Sequence, residues 1–135
     1  MSTQQTPTPP ARGRGANIAF WVLQGLLAAF FLLAAAGPKL VGEQTAVQMF
    51  DEIGAGQWFR HLVGVLEFAG AIGLVIPRLA GLAALGLVGV MAGATLTQLV
   101  VFGAPVFAIT PVILGVLLGV VAWGRWPQTR ALLAR

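Results

Sequence analysis

The chain has 135 residues, of which 58% are hydrophobic and 9% charged, with a net charge of +4 and a mean hydropathy of +0.89. Soluble domains carry about 25% charged residues, so lipid is the expected solvent for this chain. The absence of cysteine excludes disulfides, thiolate metal sites and thiol redox chemistry. Because there is a single histidine, a histidine metal cluster is also excluded, and we expect no metal or haem.

The N-terminal segment, residues 1–15, is polar and rich in Pro, Thr and Gln, which predicts a disordered cytoplasmic tail. A signal peptide is the alternative, since Arg12 and Arg14 precede an apolar run. That run is too long for the apolar core of a signal peptide, and no small-residue cleavage site leads into a soluble domain. An uncleaved transmembrane helix fits better.

Four apolar segments predict four transmembrane helices in a domain at residues 16–124. The spans are expected at about residues 17–36, 58–76, 79–101 and 106–121. Gly37-Pro38 is expected to end the first span and Pro77-Arg78 the second. The remaining residues, 125–135, are expected to form a basic cytoplasmic tail.

The connections between the spans are short, apart from the first. Thr45 to Phe50 is predicted to form an interfacial helix, with Val47, Phe50 and Ile53 on its apolar side. Phe102 to Pro105 predicts a tight turn. Short connections make the second, third and fourth spans antiparallel neighbours, so the predicted fold is an all-α, integral membrane four-helix bundle.

The basic residues predict the orientation of this bundle. With four spans both termini lie on one side, together with most of the arginines: Arg12, Arg14, Arg78, Arg125, Arg130 and Arg135. The other side has two basic residues and three acids: Lys39, Arg60, Glu43, Asp51 and Glu52. Because Lys and Arg concentrate in cytoplasmic loops, both termini are predicted to be cytoplasmic. The basic residues are scattered and match no nucleic-acid motif, so no nucleic-acid partner is expected.

Glu67 is an acid in the middle of the second predicted span, about 13.5 Å along the helix axis from Trp58. An acid at this depth costs about 2.5–3.5 kcal/mol on insertion scales, so it should face the bundle interior or a water-filled cavity. Small and charged residues share its helix face, among them Arg60, Gly64 and Ala71. A direct ion pair with Arg60 is not expected, because about 10 Å separates the two along the axis.

Polar residues on the other spans are candidate partners of Glu67. Gln24 lies on the first span, Thr95 and Gln98 lie on the third, and Lys39 has a stem long enough to snorkel. With Arg60 and Glu67 they form the predicted ligand-binding set. Two interpretations stay open: Glu67 ties helices together as a structural hydrogen-bond partner, or it binds a ligand, a quinone or a proton.

No catalytic set is predicted, since the single serine, Ser2, lies in the N-terminal tail. Two glycine pairs, Gly89-x-x-x-Gly93 and Gly115-x-x-x-Gly119, are expected to be helix-packing motifs. Glycines that face outward would also fit a homo-oligomer.

Three segments carry a family resemblance: AGPKL at residues 36–40, FDEIGAGQWF at 50–59, and GVLEFAGAIGLVIPRLAGLAALGL at 64–87. In this order they resemble the DoxX-like family of small four-helix membrane proteins. The resemblance covers about residues 18–123. It implies a compact multi-pass bundle in the plasma (inner) membrane. A lysine after the first span and an acid within the second recur in similar proteins, and here they are Lys39 and Glu67.

The resemblance implies several roles. Some relatives are subunits of a thiosulfate:quinone oxidoreductase, and others belong to oxidative-stress complexes or act as assembly factors. Since this chain has no cofactor ligands, we expect an accessory or assembly subunit of a membrane complex, in contact with lipid and a membrane protein partner or second copy. The alternatives are a quinone-binding subunit, with Glu67 on a quinone oxygen and Phe30, Phe31 and Phe68 around it, and a small-solute or proton transporter. The absence of an inverted repeat speaks against the transporter.

Overall fold

A computed structural model describes residues 13–134, and this part of the chain is all-α, as predicted. It contains five helices: α1 (Arg14–Val41), α2 (Gln44–Ile53), α3 (Gln57–Leu74), α4 (Ala80–Val101) and α5 (Pro105–Leu133). Most of the predicted N-terminal tail, residues 1–12, lies outside the described residues. Its last two positions, Arg14 and Gly15, already belong to α1.

Three helices of the described chain, α1, α4 and α5, are long and apolar enough to cross a membrane. Their length and composition are those of membrane-spanning helices. The helix at the second predicted span, α3, has 18 residues and is absent from that set. It carries Arg60, His61 and Glu67, and these polar side chains lower its mean hydropathy.

The first helix does not end at Gly37-Pro38, where the sequence predicted a stop. It widens into a π-helical stretch at Phe31–Ala36 and then continues as an α-helix over Gly37–Val41. Proline has no N–H and its ring crowds the preceding turn, and such kinks in a helix are commonly accommodated by a π-bulge. The wider turn therefore lets the chain pass Pro38 without ending the helix, and it keeps Lys39 on the helix surface.

The last helix also extends further than predicted, through residues 122–133. At 29 residues it is about 43 Å long, more than the hydrocarbon thickness of a bilayer. Pro127 lies inside it, although an interior proline costs a helix about 3 kcal/mol. Burial of Gly124, Arg125 and Thr129 against the rest of the protein supports this end. The segment expected as a basic tail is thus helical as far as Leu133, and two of its side chains, those of Arg125 and Thr129, are buried.

The short helix α2 is the predicted interfacial helix. Glu43 caps its first turn by accepting backbone N–H groups of Thr45 and Ala46, at 3.0 and 3.2 Å. These two donors stabilise the carboxylate, so the pKa of Glu43 is lower than its ordinary value. Phe50 is buried, and Gly54 ends the helix with a φ of 82°, a conformation that favours glycine.

Apolar side chains of α1, α3, α4 and α5 form one core. Its large, deeply buried members are Leu27, Phe31, Leu74, Leu87, Leu118 and Val121. Glycines allow close helix contacts around the connection at Arg78: a Cβ added at Gly70 or Gly73 would lie 2.7 Å from Leu87 or Ala83 on α4. These helices therefore touch closely at that end.

At Gly81, α4 and α5 are in close contact. A Cβ added there would lie 2.5 Å from Oγ1 of Thr129 and 3.3 Å from the Arg125 carbonyl oxygen. We expect Gly81→Leu to destabilise the protein by about 1–3 kcal/mol, the usual cost of overpacking a core. Gly25→Leu is the matched control, since its Cβ meets nothing within 4 Å. Thermal unfolding in detergent measures both variants, and equal melting temperatures would contradict the packing.

Candidate functional site

A cavity of about 500 Å³ lies between α2, α3 and α4. Its wall is mostly apolar and includes three aromatic rings, those of Phe50, Phe59 and Phe102. The larger polar side chains on its wall are those of Lys39, Glu67 and Gln98. A volume of about 300–1,000 Å³ and an apolar wall with few polar groups are typical of small-molecule sites.

Glu67 is the charged group at the centre of this site. It is 2% exposed, which confirms that it faces the protein interior. Nζ of Lys39 lies 2.9 Å from Oε1 of Glu67, and this ion pair offsets the cost of placing a carboxylate in a nonpolar medium. Lys39 was predicted to have a stem long enough to snorkel, and its ammonium group contacts the buried carboxylate.

The ion pair leaves acceptor capacity on the carboxylate. Apart from Lys39, no described residue donates a hydrogen bond to either oxygen of Glu67. A carboxylate has about four lone-pair sites, so Glu67 can accept further hydrogen bonds from a bound molecule. Lys39 uses a second donor on the Ala35 carbonyl, 3.2 Å away, which the widened turn of α1 leaves accessible.

Arg60 fixes the position of Lys39 and makes no ion pair with Glu67, as predicted. It is 7% exposed and donates through Nη1 to the Lys39 backbone carbonyl, one of the carbonyls left without a helical partner at the end of α1. Its Nε donates to Oε1 of Gln57 at 2.7 Å, and Nη2 lies 3.2 Å from Nε2 of His61. Arg60 is not on the cavity wall, so it acts on the site through Lys39.

Besides Arg60, two further predicted site residues lie off the cavity wall. Thr95 donates to the Met91 carbonyl at 2.8 Å and lines a separate groove between α4 and α5. Gln24 is fully buried and donates to the Leu74 carbonyl, the last of α3, at 2.7 Å. The structure therefore brings Lys39, Glu67 and Gln98 together and leaves Gln24 and Thr95 out of that group.

One partner of Gln24 is Arg125, which the sequence analysis placed in the basic cytoplasmic tail. Arg125 is 5% exposed, and it donates to Gln24 at 2.7 Å and to the Asn17 side chain at 2.9 Å. Its guanidinium also lies 5.2 Å from the ring centres of Phe20 and Trp21, within reach of a cation–π contact. This cluster joins the end of α5 to α1 at the opposite end of the protein from α2.

The aromatic residues predicted to surround a ligand lie away from this cavity. Phe31 is fully buried in the core, while Phe30 and Phe68 are exposed, and none of them lines the cavity. On a helix, the residue next to Glu67 points about 100° away from it. Phe59, Val63 and Glu67 are spaced four residues apart and so share one face of α3. This spacing could have predicted that Phe59 and Val63 line the cavity together with Glu67.

Gly89 and Gly93 were expected to pack against another helix, but no described helix packs against them. A Cβ added at either glycine meets nothing within 4 Å, and both residues line the cavity. Gly115 does pack, since its added Cβ would lie 3.6 Å from Met91 on α4.

Residues 22–121 match the DoxX-like family. This is most of the chain, so the protein belongs to the DoxX-like family. No curated protein and no solved structure matches the chain.

A double-mutant cycle on Lys39 and Glu67 measures whether they act as a pair. We expect Lys39→Met and Glu67→Gln each to lower stability, because each leaves the other partner without its counterpart in a nonpolar surrounding. The double variant should cost less than the sum of the two, with a coupling free energy of about 0.5–3 kcal/mol. Unfolding in detergent measures the three variants, and strict additivity would show that the pair contributes no coupling.

Proposed function

We propose that this member of the DoxX-like family is a membrane subunit that binds a quinone-like ligand in the cavity at Lys39, Glu67 and Gln98. The single observation that carries the proposal is the buried carboxylate of Glu67, which lines an apolar cavity and has acceptor capacity to spare. A group placed in this way suits a lipid-soluble ligand with a polar head.

The charges of the site favour a neutral ligand. Lys39 and Glu67 already compensate each other at 2.9 Å, so an ion of either sign would compete with one of them. A quinone is neutral and its carbonyl oxygens accept hydrogen bonds from an ammonium or an amide, while its reduced hydroxyl form donates to a carboxylate. Lys39, Gln98 and Glu67 supply these complementary groups, and the rings of Phe50, Phe59 and Phe102 suit an aromatic head.

The second candidate is the role of accessory or assembly subunit in a membrane complex. The observation that favours it is chemical: the chain has no cysteine, and the described residues contain no group of His, Asp and Glu that could hold a metal ion. Electrons carried by a bound quinone would therefore have to come from another protein. The two candidates are compatible, because a ligand-binding subunit can also stabilise its complex.

For the membrane arrangement, we propose a four-helix bundle in the plasma membrane with both termini in the cytoplasm and α3 as the fourth span. At 18 residues α3 is about 27 Å long, close to the thickness of the hydrocarbon core. Its acid is buried and ion-paired, so the low hydropathy of α3 does not prevent insertion. Arg14, Arg78 and Arg130 then lie on one side, in keeping with the concentration of Lys and Arg at cytoplasmic loops.

Quinone binding tests the proposed function. The purified protein in lipid nanodiscs should bind decylubiquinone, and Glu67→Gln and Gln98→Leu should weaken the affinity about tenfold, which corresponds to the loss of about 1.4 kcal/mol. Gln128→Leu is the control, since Gln128 is exposed on α5, away from the cavity. Equilibrium dialysis with labelled quinone gives the dissociation constants.

A wild-type protein without quinone affinity would refute the ligand proposal. If it then co-purified from its native membrane with a stoichiometric protein, and Glu67→Gln did not change that association, the accessory role alone would stand.

Reporter fusions test the membrane arrangement. We expect alkaline phosphatase to be active when fused after Gly54 and inactive when fused after Arg78 or Leu133, because α3 carries the chain across the bilayer. Green fluorescent protein at the same sites should give the reverse pattern. Equal phosphatase activity after Gly54 and after Arg78 would show that α3 does not span the membrane.

A further inference from the structure

We infer that the ligand enters the cavity sideways from the bilayer, through an opening between α3 and α4 whose wall is the glycine face of α4. The glycine face consists of Gly86, Gly89 and Gly93. This inference rests on the proposed function, and it adds that the site selects molecules that partition into lipid.

The two helices are in close contact beside the glycine face. A Cβ added at Gly70 would lie 2.7 Å from Leu87, and one at Gly73 would lie 2.7 Å from Ala83. On the glycine face itself, a Cβ added at any of the three residues meets nothing within 4 Å. This face of α4 is therefore left uncovered by the described part of the chain.

The cavity opens toward the bilayer at the glycine face. The three residues of the glycine face are exposed, and so is Leu66, which lines the cavity from α3 with 47% of its surface accessible. The spacing of three and four residues places Gly86, Gly89 and Gly93 on one side of α4 over about 10 Å of helix axis. A flat ring or an apolar chain can lie against a face without side chains.

On the side of the cavity that faces the aqueous phase in the proposed arrangement, α2 covers the cavity. Met49, Phe50 and Ile53 of α2 line it there, and the Gln57 side chain holds α2 by donating to the Val47 carbonyl at 3.0 Å. The helix runs between Gly42 and Gly54, which have φ values of 75° and 82°. A ligand from water would have to displace this helix, whereas one from lipid meets an existing opening.

A small lipid-soluble molecule fits this opening better than the helix of a second copy. The glycine face alone would suit helix packing. However, Glu67 is 2% exposed on the same cavity wall, with acceptor capacity that an apolar helix could not use. The occupant must therefore bring polar atoms as well as apolar surface.

The test is the rate of decylubiquinone binding to the full chain in lipid nanodiscs, measured by stopped-flow quenching of tryptophan fluorescence. We expect Gly89→Leu to slow association about tenfold or more, because binding that requires a path to be opened falls below ordinary rates. The chain should fold, since the added side chain meets open space. Gly93→Leu provides a second variant of the same face. Gly25→Leu is the matched control on α1, also in open space, and should bind at the wild-type rate.

The aqueous route is tested by locking α2. The chain has no native cysteine, so Val47→Cys with Gln57→Cys gives a single site for a short bismaleimide cross-link. Lateral entry predicts an unchanged association rate after cross-linking. A rate that falls on cross-linking while Gly89→Leu binds normally would overturn the inference and leave quinone binding intact.

Two other results have separate meanings. If the wild-type protein binds no quinone at equilibrium, the proposed function itself fails, and the inference fails with it. If chemical cross-linking shows a dimer of the wild type that Gly89→Leu abolishes, the glycine face is an interface between copies, and lateral entry is overturned.

Discussion

The ion pair between Lys39 and Glu67 is the constraint on which the rest of the site depends. A carboxylate inside an apolar bundle needs a cation within reach, and the nearest one comes from a different helix, 28 positions away in the sequence. The pair is available only because α1 continues past Pro38, which places Lys39 on a helix rather than in a loop. Arg60 then holds the backbone of Lys39 through its carbonyl. The 2.9 Å contact between Lys39 and Glu67 thus depends on the widened turn of α1, on the buried Arg60 and on the long side chain of the lysine.

The insertion cost of an acid explains why part of this arrangement could be predicted from sequence. An inward position is the one that lowers the free-energy cost of placing Glu67 in the membrane. Its burial and the helices around it therefore follow from composition and spacing. The choice of partner does not follow, because several polar residues of the neighbouring helices lie within the same range of depth. Gln24 and Gln98 were equivalent candidates in the sequence, but Gln24 contacts Leu74 and Arg125 at the far end of the protein from α2, whereas Gln98 lines the cavity beside α2. The shift and rotation of each helix relative to its neighbours depend on core packing, which periodicity describes too coarsely to assign single side chains.

The C-terminal ends of α1 and α5 show where the local rule that proline ends a helix fails. A stop was predicted at Pro38, and the last span was predicted to end at about residue 121, but α1 continues past Pro38 and α5 continues past Pro127. A local rule counts the lost hydrogen bond, about 3 kcal/mol at most sites, but not the tertiary contacts on the far side. At the end of α5 these contacts include the hydrogen bonds of Arg125 to Asn17 and Gln24, more than 100 positions away. No pattern in the neighbourhood of Arg125 distinguishes a buried arginine from a solvated one, so the predicted tail could only be corrected by the fold.

The energetics of buried charges favour a functional role for Glu67 over a purely structural one. Replacing a buried ion pair by packed apolar residues is often neutral or stabilising, so a bundle that only needed cohesion would do as well with leucine and methionine at these positions. The oxygens of a purely structural acid would also be expected to accept hydrogen bonds from the protein. The Gln24 amide is satisfied in this way, since it donates to the Leu74 carbonyl and accepts from Arg125. Glu67 differs, because its partner among the described residues is one partly exposed lysine, and its cavity wall includes glycines that no other described helix covers. Packing alone explains neither feature, and both follow if the space beside the carboxylate is kept for a molecule that enters and leaves.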